Sequence, residues 1–300
     1  MFEFASKQMN NSTNFLITRM RLIYHFNMLQ IFSDIKTMDE KVLSGVKRTI
    51  LVLSGKGGVG KSTVAAQLAL AFQQRGKNVG ILDIDLCGPS IPKMFGVDNM
   101  EVHQCDEGWL PVFTNETQSM AIMSIAFLLS SSDDAVVWRG PKKNAMIKQF
   151  LTDVAWGNRD ILIIDTPPGT SDEHITVMES LKASEVHIDG AVLVTTPQAV
   201  AVGDVRRELT FCRKAKLDIL GIVENMSGFV CPNCKDCTNI FSKGGGQALA
   251  EHAKVPFLGA VPIDPNISQS AESGINFIEK FESSVAANIF KDISREIFSD

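Results

Sequence analysis

Short apolar runs alternate with longer amphipathic stretches from residue 49 to the C-terminus. Several runs are continuous in Val, Ile and Leu, which is typical of parallel strands that are covered on both faces. Strands are predicted at residues 49–53, 78–83, 119–124, 160–165, 190–195, 219–224 and 257–261. Helices are predicted at residues 61–74, 142–152, 172–181, 203–214, 246–252 and 284–297.

This alternation predicts one α/β domain, doubly wound around a mostly parallel sheet, over residues 42–300. Residues 1–41 are predicted to be a disordered N-terminal extension, with a leading helix beginning near Asp39. A weak mitochondrial-type presequence is the competing interpretation of the first residues. We favour the plain extension, with Met38 as an alternative start, because the segment is not clearly rich in Arg and Ser.

The composition argues against nucleic-acid binding and against a membrane-spanning protein. The net charge of −5 provides no global basic field for nucleic acid. No run of 18 or more uncharged apolar residues is present, so no transmembrane helix is expected. Three of the six cysteines cluster, which favours reduced thiolates in a cytosolic type of compartment over a disulfide framework. The apolar stripe of the last predicted helix carries mixed charges, so we expect it to pack on the domain rather than on lipid.

The run between the first predicted strand and helix matches the phosphate-loop pattern G-x-x-x-x-G-K-[ST]. Its glycines let backbone N–H groups curl round a phosphate, and the next helix directs its N-terminal dipole at the same anion. Lys61 is expected to reach the β- and γ-phosphates, and the Ser62 hydroxyl to hold Mg²⁺. The predicted nucleotide-binding residues of this P-loop are Gly55, Lys56, Gly57, Gly58, Val59, Gly60, Lys61, Ser62 and Thr63.

Aspartates end two of the predicted strands. Asp83 and Asp85 stand two residues apart, so their side chains point to the same side of an extended chain, and Asp165 ends a later strand. Ligands bind at the C-terminal ends of strands in α/β sheets, so we expect these carboxylates beside the P-loop and its Mg²⁺. Residues 166–170 (Thr-Pro-Pro-Gly-Thr) are stiff and then flexible, which suits a γ-phosphate sensor.

Lys56 gives the P-loop a second lysine directly after its first glycine. The run GKGGVGKST thereby resembles the deviant Walker A loop of the family that contains nitrogenase iron protein, the Min and Par positioning ATPases and the Mrp-type iron–sulfur scaffold ATPases. Three further runs are similar to the Mrp-type branch: residues 85–90 (DLCGPS), 138–141 (WRGP) and 166–173 (TPPGTSDE). The resemblance extends from about residue 42 to the C-terminus.

The resemblance implies that two subunits enclose two nucleotides, with ATP and Mg²⁺ as cofactors and slow ATP hydrolysis as the activity. Lys56 would cross the interface to the partner's phosphates. Together with Lys61 it would act catalytically, while Asp85 would orient or activate the attacking water.

Three further residues receive a role from the same resemblance. Asp83 would support Mg²⁺ and the nucleotide-sensing segment, and Asp165 would be the Walker B acid. Asn225, in the Asn-Met-Ser run after the sixth predicted strand, would contact adenine.

Cys231, Cys234 and Cys237 form a C-x₂-C-x₂-C run. Thiolates at this spacing can hold one metal ion or one edge of a cluster, whereas a [4Fe–4S] cluster generally needs four. Residue 241 is Phe, so the ferredoxin run is incomplete, and a two-fold dimer would supply Cys231 and Cys234 twice. The resemblance implies this shared [4Fe–4S] site. Cys237 stays open between a spare ligand and a small buried residue, and zinc stays an alternative metal.

The resemblance implies an ATP-dependent scaffold that assembles [4Fe–4S] clusters and transfers them to cytosolic and nuclear apoproteins. The first cysteine is Cys87, so the chain is similar to the smaller scaffold subunit, which lacks the N-terminal cysteine cluster of the larger one. It would pair with itself as a homodimer or with the larger subunit in a heterotetramer, and would bind apoproteins and transfer factors in the cytoplasm, but no nucleic acid or membrane.

Two alternatives belong to other classes of protein. A Min- or Par-type positioning ATPase would bind lipid or DNA and would not need Cys231 or Cys234. A zinc-stabilised nucleotide-binding module would have a structural role.

Overall fold

The computed structural model describes residues 43, 45–86, 88–106, 108–128, 140–169, 172–183, 187–230 and 237–299. The strands in these ranges are β1 (Thr49–Ser54), β2 (Val79–Asp83), β3 (His103–Cys105), β4 (Gly108–Leu110), β5 (Val112–Phe113), β6 (Met120–Ser124), β7 (Ile161–Asp165), β8 (Gly190–Thr195), β9 (Ile219–Glu224), β10 (Phe229–Val230), β11 (Cys237–Thr238) and β12 (Phe257–Ala260).

The α-helices of the same ranges are α1 (Lys61–Gln74), α2 (Ile91–Met94), α3 (Gly140–Thr152), α4 (Asp172–Ala183), α5 (Ala199–Ala215), α6 (Gly245–Ala253), α7 (Pro265–Glu272), α8 (Phe277–Lys280) and α9 (Val285–Ile297). A 3-10 turn at Ile125–Leu128 follows β6.

Eight of the described strands form one sheet in the order β12-β9-β8-β1-β7-β2-β6-β5. Neighbouring strands run parallel, except that β5 is antiparallel to β6. Two small antiparallel hairpins, β3–β4 and β10–β11, lie outside this sheet. The doubly wound, mostly parallel fold predicted from the sequence is confirmed.

The β1–α1 unit lies at the centre of the domain. Every residue of β1 is buried, and Ile50 and Val52 belong to a core that includes α1, α8 and α9. Leu51 and Leu53 alternate with them and are also buried, so both faces of the strand are covered. Because α1 packs between the sheet and α8 and α9, the loop that joins β1 to α1 is held at both ends by buried elements.

The C-terminal helix α9 packs on the domain, as its apolar stripe predicts. Phe290 and Ile293 are fully buried in the core that contains α1, whereas Val285, at the start of the helix, is 52% exposed. Ser284 caps the helix by accepting a hydrogen bond from the Ala286 N–H. Among the described residues, no helix combines the length and the apolar character that a membrane crossing requires.

The predicted strands are all present, with ends within one residue of their expected positions, and the predicted helices are present, several of them longer than expected. The short elements α2, α7, α8, β3, β4, β5, β10 and β11 were not predicted. The N-terminal extension and the helix near Asp39 lie outside the described residues, so they stay predictions.

Candidate nucleotide-binding site

The P-loop leaves β1 at Ser54 and enters α1 at Lys61. It turns through left-handed backbone at Gly58 (φ 80°) and Gly60 (φ 83°), a conformation that costs glycine little. No described side chain caps α1, so its first N–H groups are free to face an anion. A cavity of about 210 Å³ opens here, lined by Ser54, Lys56, Gly57, Gly58, Gly60, Lys61, Ser62, Thr63, Asp85, Ser90, Met94 and Pro168.

Two P-loop glycines are also required by close packing. A Cβ at Gly55 would lie 2.5 Å from the carbonyl carbon and 2.6 Å from the Cβ of Asp204, so α5 packs directly against the loop. A Cβ at Gly60 would lie 2.2 Å from the Asn225 Nδ2. The contact with Asp204 was not predicted, because nothing in the local sequence around residue 204 indicates the P-loop.

Lys61 is the centre of a buried group of polar side chains. Its Nζ lies 2.5 Å from the Asp165 Oδ1, 3.8 Å from the Asp85 Oδ2 and 3.4 Å from the Ser62 Oγ. The Lys61 side chain is only 6% exposed and that of Asp165 is fully buried. The structure therefore brings together four of the predicted site residues.

Asp83 and Asp165 are paired in the register of β2 and β7 at the C-terminal ends of these strands. Burial raises the pKa of both carboxyl groups, and the neighbouring Asp165 raises the pKa of Asp83 further. Lys61 acts in the opposite direction on both, because its positive charge favours the ionised forms.

Asp83 fixes the chain segment that carries Asp85. Its carboxyl oxygens accept hydrogen bonds from the backbone N–H groups of Asp85 (3.1 Å) and Ile91 (3.4 Å) and from the Ser124 hydroxyl (3.0 Å). Ser124 ends β6 and was not among the predicted residues. Asp83 thus positions the loop beside the cavity.

The donor set fits a hard divalent cation bound with a nucleotide. Asp165 Oδ2 is buried without a hydrogen-bond partner in the described part of the chain. The Ser62 Oγ lies beside it, 3.4 Å from the Lys61 Nζ that pairs with the same carboxyl group. Mg²⁺ prefers such hydroxyl and carboxylate oxygens together with phosphate oxygens.

Lys56 and the Thr-Pro-Pro-Gly segment border the cavity. Lys56 is half-buried, and its ammonium forms no ion pair with any described residue. The Thr166 hydroxyl donates to the Val52 carbonyl (2.9 Å) and the Gly169 N–H to the Ser54 carbonyl (2.7 Å). These bonds tie the proline pair to the end of β1. Thr170 and Ser171 lie outside the described residues.

Asn225 lies behind the P-loop, where its Nδ2 donates to the Val59 carbonyl over 2.9 Å. The side chain is 7% exposed. The predicted contact between Asn225 and adenine stays a prediction.

Cys231 and Cys234, like Cys87, lie outside the described residues. The hairpin strands β10 and β11 flank residues 231–236 in sequence, and they pair through Phe229 with Thr238 and Val230 with Cys237. Within the described ranges, no group of three or more His, Cys, Asp or Glu side chains is arranged to hold a metal ion. The thiolate site therefore stays a prediction.

The parallel sheet, the glycine-rich loop ahead of α1 and the carboxylates at the neighbouring strand ends define a P-loop NTPase. The chain belongs to the family described as ParA: NUBPL iron-transfer P-loop NTPase, which matches residues 45–298. The family resemblance inferred from the motifs is confirmed.

Individual relatives agree with this assignment. The chain is 64% identical over 255 residues to the cytosolic Fe-S cluster assembly factor NUBP2 of Gallus gallus, covering 85% of this chain and 93% of that protein. A nucleotide-binding protein of Archaeoglobus fulgidus, solved in complex with ADP, is 42% identical with a TM-score of 0.68 and covers 79% and 91% of the two chains. The cell division ATPase MinD of Pyrococcus furiosus is 25% identical with a TM-score of 0.61 and covers 83% and 98%.

Proposed function

We propose that the protein is an ATP-dependent scaffold that assembles [4Fe–4S] clusters and transfers them to apoproteins, and that it acts in the cytosol. One observation carries the proposal: the P-loop and the hairpin that flanks the C-x₂-C run are built on adjacent parts of one domain. Only residues 225–228 separate β9 from β10, and Asn225 among them contacts the P-loop. The relatives named as cytosolic cluster assembly factors support the same function.

Four residues at or beside the cavity have a task in nucleotide binding or hydrolysis: Lys61, Ser62, Asp85 and Asp165. Lys61 moves from Asp165 to the β- and γ-phosphates, and the N–H groups of the P-loop surround the phosphate oxygens. Ser62 and Asp165 would hold Mg²⁺, which neutralises phosphate charge when bound. Asp85, held by Asp83, orients the water for slow ATP hydrolysis.

In a two-fold dimer, each protomer would supply residues that the site of the other protomer lacks. Lys56 is available to reach a phosphate across a two-fold interface, since no described residue pairs with its ammonium. The same symmetry supplies Cys231 and Cys234 from two protomers, which gives the four thiolates that a [4Fe–4S] cluster needs. The partner is a second copy or a larger scaffold subunit with its own N-terminal cysteine cluster, as a homodimer or heterotetramer. Apoproteins and transfer factors receive the product.

Anaerobic reconstitution tests the proposal. The purified protein, alone and with the larger scaffold subunit, is supplied with iron and sulfide, and bound iron, sulfide and cluster absorbance are measured. We expect uptake that is lost in Cys231→Ala and in Cys234→Ala. Cys105→Ala is the matched control, because Cys105 is a partly exposed free cysteine on β3, and it should load normally.

Three outcomes would contradict the proposal. One is the absence of iron at these thiols in either preparation. Another is stoichiometric zinc in place of iron, which would indicate the zinc-stabilised module. The third is binding to lipid vesicles or DNA that persists without Cys231 and Cys234, together with failure to load a cluster, which would indicate a positioning ATPase.

A further inference from the structure

Glu224, the last residue of β9, has both carboxyl oxygens engaged in the interior. Its side chain is 1% exposed. Oε1 accepts a hydrogen bond from the Ser227 hydroxyl (2.7 Å), and Oε2 accepts one from the Gly246 backbone N–H (2.6 Å). One carboxyl group therefore joins two segments that are distant in sequence.

Ser227 belongs to the segment that leads into β10. Its N–H donates to the Val261 carbonyl, and the Ile263 N–H donates to the Gly228 carbonyl, both over 2.8 Å. A bridge between Phe229 and Ile263 continues this pairing. We call β10, β11 and the residues between them the cysteine hairpin, and residues 225–228, which lead into it, its entry arm. The entry arm is thus fixed to the chain that follows β12.

Gly246 lies in the first turn of α6, on the segment that leads away from β11. A Cβ at residue 246 would lie 3.0 Å from the Glu224 Cβ and 3.0 Å from the Thr195 Cγ2, so glycine allows this close approach. The Ser242 hydroxyl donates to the Pro197 carbonyl and attaches the same segment to the end of β8. We call residues 239–246, which lead from β11 into α6, the exit arm of the hairpin. Glu224 thus holds the exit arm as well as the entry arm.

The next residue connects this carboxyl group to the nucleotide site. Asn225 donates from Nδ2 to the Val59 carbonyl of the P-loop, and its own N–H donates to the Thr195 carbonyl over 2.8 Å. Met226 then adopts left-handed backbone (φ 56°), which is costly for a non-glycine residue and persists only where surrounding contacts hold it. A displacement of the P-loop at Val59 or Gly60 must therefore displace Asn225 or break its bond.

We propose that Glu224 and Asn225 act as a coupler, in which Asn225 follows the P-loop and Glu224 transmits the movement to both hairpin arms. Glu224 is a positioning residue: it does not line the cavity, and the described hydrogen bonds of its carboxyl group go to Ser227 and Gly246. Packed segments that are joined by discrete hydrogen bonds move together rather than deforming gradually. A small displacement of the P-loop should therefore displace both hairpin arms at the same time. The proposal rests on the proposed function only in taking the P-loop as the nucleotide site and Cys231 and Cys234 as the working thiols.

The test measures nucleotide-dependent reactivity of the thiols in the iron-free protein. The rates of alkylation of Cys231 and Cys234 are followed by peptide mass spectrometry with and without Mg²⁺ and a non-hydrolysable ATP analogue, with Cys105 as the internal reference. A typical coupling free energy corresponds to a change of about fivefold or more, which we expect in the wild type. In Glu224→Ala, which removes both acceptor oxygens, this change should disappear, while nucleotide affinity stays close to wild type.

Two further variants keep the test decisive. Ser227→Ala removes one of the two bonds of Glu224 and should reduce the nucleotide response even if Glu224→Ala does not fold. Glu251→Gln alters an exposed glutamate of α6 and should leave the response intact. The coupler is refuted if the wild type binds nucleotide without a thiol response, or if Glu224→Ala or Ser227→Ala responds fully. Because no iron is present, these outcomes are independent of cluster uptake, whose failure would refute the proposed function instead.

Discussion

Lys61 is paired with carboxylates of its own domain. Asp165 lies at 2.5 Å and Asp85 at 3.8 Å, in a site that water hardly reaches. A buried ion pair adds little net stability, but the loss of one partner leaves an uncompensated buried charge. Under the proposed function, phosphate oxygens would have to compensate Lys61 for the loss of Asp165.

We expect Lys61→Ala to weaken nucleotide binding by about 10- to 100-fold, because a hydrogen bond between charged groups is lost. The free energy of unfolding should also fall by on the order of 3 kcal/mol, because Asp165 is left buried without its cation. Calorimetric titration and thermal unfolding measure the two effects. Lys61→Ala combined with Asp165→Asn should recover the stability but not the affinity. Nucleotide binding at wild-type affinity in Lys61→Ala would contradict the assignment.

Glu208 on α5 is a buried acid that has no part in the proposed mechanism. Its side chain is fully buried, and neither carboxyl oxygen has a hydrogen-bond partner among the described residues. Burial raises the pKa of Glu208 from 4.5 to about 7. One turn further along, burial and the charge of Glu208 raise the pKa of the Cys212 thiol to about 12, so this cysteine is a poor nucleophile.

The raised pKa of Glu208 makes stability depend on pH. Between its unfolded and folded pKa values the folded state binds the proton more tightly, so the free energy of unfolding falls as pH rises from 4.5 to about 7. Glu208→Gln has no group that titrates here, so it does not lose stability in this way. We expect the difference in free energy of unfolding, variant minus wild type, to increase by about 3 kcal/mol between pH 4 and pH 8. Urea unfolding at several pH values measures it. The exposed Glu272→Gln variant should show no such trend, and a parallel trend in both would contradict the prediction.

The C-terminal helix α9 is secured at its end by a side chain from the segment after α1. Arg75 donates to the carbonyls of Ser294 and Phe298, the latter over 2.7 Å. These carbonyls belong to the last turn and C-cap of α9, where a positive charge also favours the helix dipole. Arg75 thereby anchors the helix that covers α1.

We expect Arg75→Met to lower the free energy of unfolding by about 1–3 kcal/mol, because helix-end carbonyls lose charged donors. Arg295→Met is the matched control. Arg295 is 64% exposed and pairs with an equally exposed Asp292, so its loss should cost less than about 0.5 kcal/mol. Urea unfolding compares the two variants. Equal effects would show that the bonds of Arg75 do not stabilise α9.

The long elements follow from the sequence because their signals are local. The apolar runs of β1 and β7 and the pattern of α1 each contain enough residues to determine the period and the ends. The short elements α7, α8 and β10 contain two to eight residues, too few to show a period, and they depend on tertiary contacts. The Asp264 cap of α7, for example, also accepts a hydrogen bond from Ser284, twenty residues later.

The same distinction applies to the site. Lys61 and its loop could be predicted because the motif is contiguous, and Asp83 and Asp165 because they end recognisable strands. Ser124 and Glu224 were missed, since each acts through a partner far away in sequence: Ser124 on Asp83 and Glu224 on Gly246. Long-range hydrogen bonds of this kind leave no local pattern.

In the whole molecule, the predicted nucleotide site and the start of the cysteine hairpin lie at the same end of the sheet, where the parallel strands have their carboxyl ends. The strand order places β1 beside β8, and β8 beside β9, so the P-loop, Thr195 and Glu224 lie at consecutive strand ends. Hydrogen bonds join Asn225 to Val59 of the P-loop and to Thr195 at the end of β8, and Glu224 directly precedes Asn225 in the chain. The architecture therefore connects the P-loop through hydrogen bonds to the segments that flank Cys231 and Cys234 in sequence, as the proposed coupling requires.

The rate of iron–sulfur transfer from the reconstituted protein to an apoprotein acceptor tests this connection most directly. It is measured under anaerobic conditions without nucleotide, with Mg²⁺ and ATP, and with Mg²⁺ and a non-hydrolysable analogue. We predict that Mg²⁺ and ATP change the transfer rate by about fivefold or more relative to the protein without nucleotide. Transfer at one rate under all three conditions, from protein that has loaded a cluster and bound the nucleotide, would contradict the account.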